Sequence, residues 1–213
     1  MIEDQKYWED RLPDDNRRDW RNGANDWIEE YIQSKEHPHR QLIIDEIGHL
    51  EPFEKILEVG CSAGPNIALL REKFAYLKDS NLTGVDVNAA SLMAAKINLP
   101  AVNWMPGSVT DLPLPDKSVD ITLVDAVLMY VGPEEIEKAM DEINRVTKKA
   151  VVLVEWGTGE STKGILRCGH WARSYGTLLE ERGFKTFARK LTFSQWPNEN
   201  WANNGYIYTS VRR

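Results

Sequence analysis

Cysteine is scarce: Cys61 and Cys168 are the two in a chain of 213 residues, and neither belongs to a C-x-x-C pair. That excludes a disulfide scaffold and a cysteine-spaced zinc site, and it reads both thiols as reduced, in a reducing compartment. Basic charge is also short. Lys and Arg number 26 against 33 Asp and Glu, a formal net charge of -7. A surface gripping nucleic acid through phosphates would carry the opposite balance, so no nucleic-acid partner is expected. No stretch approaches ~18 consecutive apolar residues, so no membrane-spanning helix and no membrane partner is expected. The opening MIEDQKYWEDRLPDD lacks the apolar run of a signal peptide; the reading is cytoplasmic. Histidine and cysteine offer no metal set either. His37-Pro38-His39 has Glu36 beside it, but two histidines cannot complete a zinc site, so this segment reads as a solvated loop and no metal is expected. What remains is ordinary: 42% hydrophobic and 28% charged residues, enough for one α/β domain with a sizeable core. Oligomeric state leaves no trace in the sequence.

Two regions differ in texture. Residues 1–42 are polar and punctuated by Tyr7, Trp8, Trp20, Trp27 and Tyr31. Trp20, Trp27 and Tyr31 fall near one helical face, which suits either a helix packed on the domain or a lid over a neighbouring site. A helical pattern runs from about His39 to Leu50 and stops at Glu51-Pro52. Residues 43–213 then alternate. Apolar, β-branched runs at 55–59, 82–87, 102–105, 119–127 and 150–155 are separated by helix-like segments at 65–78, 89–97 and 133–146, with another at about 170–182. Strands spaced by helices of this length argue for βαβ units and a parallel sheet. The last two runs, 185–193 and 205–211, have only a loop between them and read as an antiparallel pair at one edge.

Glycine is placed with purpose at Ile56-Leu57-Glu58-Val59-Gly60-Cys61-Ser62-Ala63-Gly64-Pro65-Asn66. A buried strand runs into small residues and then a helix starting near Pro65, so free N–H groups and a positive dipole end face a ligand. Asp86, in Gly84-Val85-Asp86-Val87-Asn88, ends the next strand, where an acid can accept both hydroxyls of a ribose. A nicotinamide fingerprint, G-x-G-x-x-G, is missing two of its three glycines here, at Ser62 and Pro65. A dehydrogenase is therefore disfavoured.

The segment Glu58-Val59-Gly60-Cys61-Ser62-Ala63-Gly64 resembles motif I of the class I methyltransferases that use S-adenosylmethionine (SAM), E/D-x-G-x-G-x-G, with Ser62 in place of the middle glycine. Gly107-Ser108-Val109-Thr110-Asp111-Leu112-Pro113 resembles the adenine-side motif of that family. Asp120 to Tyr130 resembles its fourth strand and following turn. The resemblance implies a Rossmann-like, doubly wound α/β fold. Its sheet would be mostly parallel and seven-stranded, with an antiparallel edge strand and helices on both faces. It also implies SAM as cofactor, held by Glu58, Gly60, Cys61, Ser62, Gly64, Asn66, Asp86, Val87, Asn88, Gly107, Ser108, Val109, Asp125, Ala126 and Tyr130. By it, Gly60 to Gly64 line the methionine part, Asp86 binds the ribose, and Ser108 and Val109 approach the base. The likeness is to members that act on small molecules, so a small-molecule acceptor is the expected partner.

SAM carries an activated methyl group, so no side chain is compelled to act as a catalyst. Three residues lie where an acceptor would approach. Tyr130 follows the fourth strand, Glu155 ends the fifth and could orient or deprotonate an acceptor, and His170 stands at an expected helix start. Each also has a structural reading, as packing or as a strand-end hydrogen bond. No N/D-P-P-Y/F motif follows the fourth strand, which counts against amino-methylation of DNA bases. Two alternatives stay open: a protein or RNA methyltransferase, and a non-catalytic SAM-binding partner subunit.

Overall fold

The computed structural model describes residues 5–12 and 27–213; Trp20 of the aromatic stripe lies outside them. Among the described residues the first α-helices are α1 (Gln5–Glu9), α2 (Trp27–Gln33) and α3 (Pro38–Gly48). Then come β1 (Ile56–Val59), α4 (Pro65–Lys73), β2 (Leu82–Asp86), α5 (Ala89–Asn98), β3 (Asn103–Pro106), β4 (Val119–Asp125), α6 (Ile136–Val146) and β5 (Thr147–Trp156). The chain closes with β6 (Ile165–Arg167), β7 (His170–Ala172), α7 (Tyr175–Glu180), β8 (Phe184–Lys190), α8 (Glu199–Asn204) and β9 (Gly205–Arg212).

Seven strands form one sheet in the order β3-β2-β1-β4-β5-β9-β8. The first five are parallel, and β9 runs antiparallel between β5 and β8. The order reverses between β1 and β4, which opens a crevice at their carboxyl ends. Strands covered on both faces must be apolar throughout rather than alternating. In β1 all four residues are buried, and so are Ala150 to Trp156 of β5. Successive side chains supply opposite faces. Ile56 packs with Ile43, Ile47, Ile67 and Leu70 of α3 and α4, whereas Leu57 and Val59 pack with Met140 and Ile143 of α6 and Leu178 of α7.

Two local readings change. The helix expected over about 170–182 begins only at Tyr175, as α7, and His170 lies in a strand: Arg167 pairs with His170 across a two-residue turn, Cys168-Gly169, with φ of 47° and 85°. Two successive positive φ values make a tight hairpin turn whose usual residues are Asn-Gly, so a cysteine hid it. The loop between the last two sheet strands holds α8, whose first turn is capped by Asn198 Oδ1 accepting from the Asn200 and Trp201 amides.

Candidate active site

A cavity of ≈ 1020 Å³ lies over the carboxyl ends of β1, β2, β4 and β5. One wall is the turn after β1. Gly60 takes φ of 71°, and a Cβ there would collide with the Val127 side chain. Ser62, in the place of the family's middle glycine, takes φ of 48°, a left-handed conformation that costs a side-chain-bearing residue about 1–2 kcal/mol. Its amide donates to Asp86 Oδ2 at 2.7 Å, which helps hold it there. Asp86 Oδ1 accepts from the Asn88 amide at 2.8 Å. Burial pushes the Asp86 carboxyl up, partly offset by these amides.

Asp125 and Ala126, with φ of 57° at Ala126, form the adjoining wall. Asp125 Oδ2 accepts from His39 Nε2 at 3.0 Å, Asn66 Nδ2 at 3.0 Å and Arg40 Nη1 at 3.2 Å. Burial would raise its pKa, but His39, Arg40 and Asn66 outweigh burial and hold it well below the usual carboxylate range. Behind it, Asn66 Nδ2 also donates to Glu58 Oε1 at 2.8 Å. Burial pushes Glu58 up to about 8.

Another side is closed by Gln5, Tyr7 and Trp8 of α1 and by Arg11 just after it. Asn88 Nδ2 donates to the carbonyls of Trp8 at 2.7 Å and Arg11 at 2.9 Å, while its Oδ1 caps α5 through the Ser91 amide. Ser108 Oγ donates to Gln5 Oε1 at 2.7 Å. Arg11 lies 4.4 Å over the Trp27 ring. The far end is aromatic. Tyr130 and Trp156 flank His170 at ring distances of 5.2 and 4.8 Å, and Trp196 stacks on Trp201 at 3.7 Å.

Of the expected cofactor set, Gly60, Ser62, Asp86, Val87, Asn88, Gly107, Ser108, Val109, Asp125, Ala126 and Tyr130 line this cavity. Four do not. Glu58 and Asn66 are buried behind the Asp125 wall, the Cys61 side chain is 1% exposed in the core, and Gly64 faces Trp104, so its missing Cβ serves packing. Glu155 is likewise withdrawn: it is fully buried, and its two oxygens accept the amides of Val127, Leu128 and Met129 at 2.7–3.1 Å. The solvated loop expected at His37-Pro38-His39 is overturned too, since His39 is 3% exposed. His39 reads as solvated in the sequence and Arg40 goes unread because their shared partner, Asp125, is far away in the chain. The only local hint was a histidine pair entering a helix behind Pro38.

The site's unpaired polar atoms are informative. Among the described residues, buried Ser62 Oγ and Asp125 Oδ1 find no hydrogen-bond partner, although both residues line the cavity. Buried polar atoms in native folds are paired, so these two fit a polar ligand seated between the turn and β4.

Residues 57–154 match the family model for a methyltransferase domain. An uncharacterised methyltransferase of Synechocystis is 27% identical over 101 residues, 46% of this chain and 44% of that protein. A ubiquinone/menaquinone biosynthesis C-methyltransferase of Campylobacter jejuni is 29% identical over 108 residues, 50% of this chain and 45% of its own. The matches thus span under half the length of these curated relatives. Among solved structures, the magnesium protoporphyrin IX methyltransferase of Synechocystis with bound S-adenosylhomocysteine (SAH) superposes with a TM-score of 0.68 at 13% identity, covering 98% of both chains. The geranyl diphosphate C-methyltransferase of Streptomyces coelicolor does so at 0.68 and 15%, covering 98% of this chain and 96% of its own.

Proposed function

We propose that this chain, whose residues 57–154 match a methyltransferase-domain model and whose fold is shared with a methyltransferase solved with bound SAH, transfers a methyl group from SAM to a small-molecule acceptor. The observation that carries the reading is the glycine turn and Asp86 set around one cavity at the sheet's reversal point, with the unpaired Ser62 Oγ and Asp125 Oδ1 beside them. Asp86 would hold the ribose, Gly107 to Val109 the base, and Gly60, Ser62 and Asp125 the methionine part. The cofactor supplies a methyl group already activated on a sulfonium. What the chain supplies is placement and exclusion of water.

The aromatic end, with Tyr130, Trp156 and His170, would receive the acceptor. Glu155 acts on it at one remove, by fixing the backbone that carries Tyr130. The segment 5–11 serves as a cover over the cofactor, which favours an enclosed small acceptor over a macromolecular one. Free Cys61 and Cys168 support a cytoplasmic location. Among the described residues no helix is long and apolar enough to cross a membrane.

The deciding experiment is calorimetric titration with SAM, SAH and NAD. Micromolar binding of the first two and none of NAD is expected. Binding of NAD alone would sink the proposal.

A further inference from the structure

Among the described residues the permanently charged cations lining the cavity are Arg11 and Arg40. Arg40 is engaged throughout. Its Nε donates to the Ser34 carbonyl at 3.0 Å, its Nη2 to Ser34 Oγ at 2.9 Å, and its Nη1 to Asn66 Oδ1 at 2.8 Å and Asp125 Oδ2 at 3.2 Å. Arg11 is different. It is 8% exposed, yet among the described residues its buried Nε finds no hydrogen-bond partner and no carboxylate stands against its guanidinium. Aromatic rings hold it instead: the guanidinium carbon lies 4.4 Å from the Trp27 ring centre, 5.3 Å from that of Trp8 and 5.8 Å from that of Tyr7. Such rings attract the charge, but they supply no lone pair to the N–H fork in the guanidinium plane. A buried cation is costly unless an anion meets it.

The backbone fixes where that anion would sit. The Arg11 carbonyl accepts from Asn88 Nδ2 at 2.9 Å, just past β2, and the Leu12 carbonyl accepts from Trp27 Nε1 at 2.7 Å. Trp27 in turn packs with Ala63 in the turn after β1. The guanidinium is thus suspended between that turn and the end of β2. Asp86 and Asp125 line the same cavity, and both repel a ligand carboxylate, so seating one there requires an unspent cation.

We propose that Arg11 is the carboxylate-binding residue of the cavity, its planar fork taking both oxygens of a ligand carboxylate. This rests on the methyl-transfer reading above and gives work to a cation that reading leaves idle. Two carboxylates share the required chemistry. One is the α-carboxylate at the amino-acid end of the cofactor. The other is a carboxylate on the acceptor, because Trp8, beside Arg11, also meets the Tyr130 ring at 5.2 Å. In both cases the charge that holds the ligand comes from the segment covering the cavity, so ligand binding ties that segment down.

Calorimetric titration of the wild type and Arg11→Gln with SAH and with decarboxylated SAH, which keeps the amine, separates recognition of the carboxylate from a loosened cover. If the cofactor's carboxylate is held, Arg11→Gln weakens SAH about 10-fold or more relative to the decarboxylated analogue. If the acceptor's is held, both nucleosides bind as before, and para-hydroxybenzoate binds the SAH-loaded wild type but not SAH-loaded Arg11→Gln. Arg11→Lys, which keeps the charge and loses the fork, should fall between the two for the carboxylate ligand alone. Equal losses for SAH and its analogue would reduce Arg11 to packing of the cover and overturn the proposal. Unchanged binding of both, with no difference toward para-hydroxybenzoate, would overturn it as well. Failure of SAH to bind the wild type strikes the methyl-transfer reading itself, and is seen before any variant is compared.

Discussion

Glu58 illustrates how burial sets the state of a single carboxyl. It is 2% exposed; Oε1 accepts from Asn66, and Oε2 has no partner among the described residues. Burial raises it from an ordinary 4.5 to about 8, so the folded chain holds a proton that the unfolded chain has released between those values. A raised folded-state pKa contributes stability that is full below 4.5 and lost as pH rises through 8. Glu155, also pushed up to about 8 by burial, adds the same slope. Glu58→Gln should therefore lessen the fall in melting temperature between pH 5 and pH 8; an unaltered fall would refute the assignment. Gly60→Ala combines a positive φ with a collision against Val127 and should cost about 2–4 kcal/mol by denaturant titration. Asp86→Ala should weaken SAH binding by about 1.5–3 kcal/mol, the scale of charge-assisted hydrogen bonds. Unchanged calorimetric affinity in a folded variant would remove Asp86 from the ribose site.

Elements are held to one another by buried polar side chains as well as by apolar packing. The turn after β4 is gripped from two directions. Glu155 at the end of β5 takes the amides of Val127, Leu128 and Met129, and Arg173 after β7 donates to the carbonyls of Leu128, at 2.7 Å, and of Val131. Both side chains are fully buried. The grip orders a non-repetitive stretch that carries Met129 and Tyr130 to the cavity. Arg173→Leu keeps most of the apolar stem but strands buried carbonyls, a loss of roughly 2–5 kcal/mol in chemical denaturation. Cys168→Asn should do the reverse. Asn tolerates the left-handed conformation at the β6–β7 turn, so a gain of about 0.5–1 kcal/mol is expected. A lower melting temperature would contradict that turn geometry.

At the scale of the whole molecule, the sheet's reversal point and the segment before α3 make the cavity jointly. Strand ends supply the Asp86 and Asp125 walls, and α1 supplies a cover tied down through Asn88. Asn88→Ala removes that tie along with the α5 cap, so faster proteolysis around Leu12 and weaker SAH binding are expected together. Equal protection in the variant would show that α1 is held by other contacts.

Much of this was readable from order along the chain. Buried parallel strands write continuous apolar runs, glycines mark the turn after β1, and Asp86 follows at the end of the next strand. All are local signals, so the fold class, the glycine turn and most of the cavity lining on that side could be named residue by residue. The misses share one cause. Glu58, Asn66 and Glu155 carry the right chemistry at the right strand ends, yet whether a side chain faces a cavity or the core behind it depends on what packs over it. The contact of Asp125 with His39 joins positions 86 residues apart, and the Trp196–Trp201 stack meets it from the strap between β8 and β9. Such contacts arise only once the sheet has assembled, because burial and partner, rather than residue type, decide which histidine is buried and what it meets.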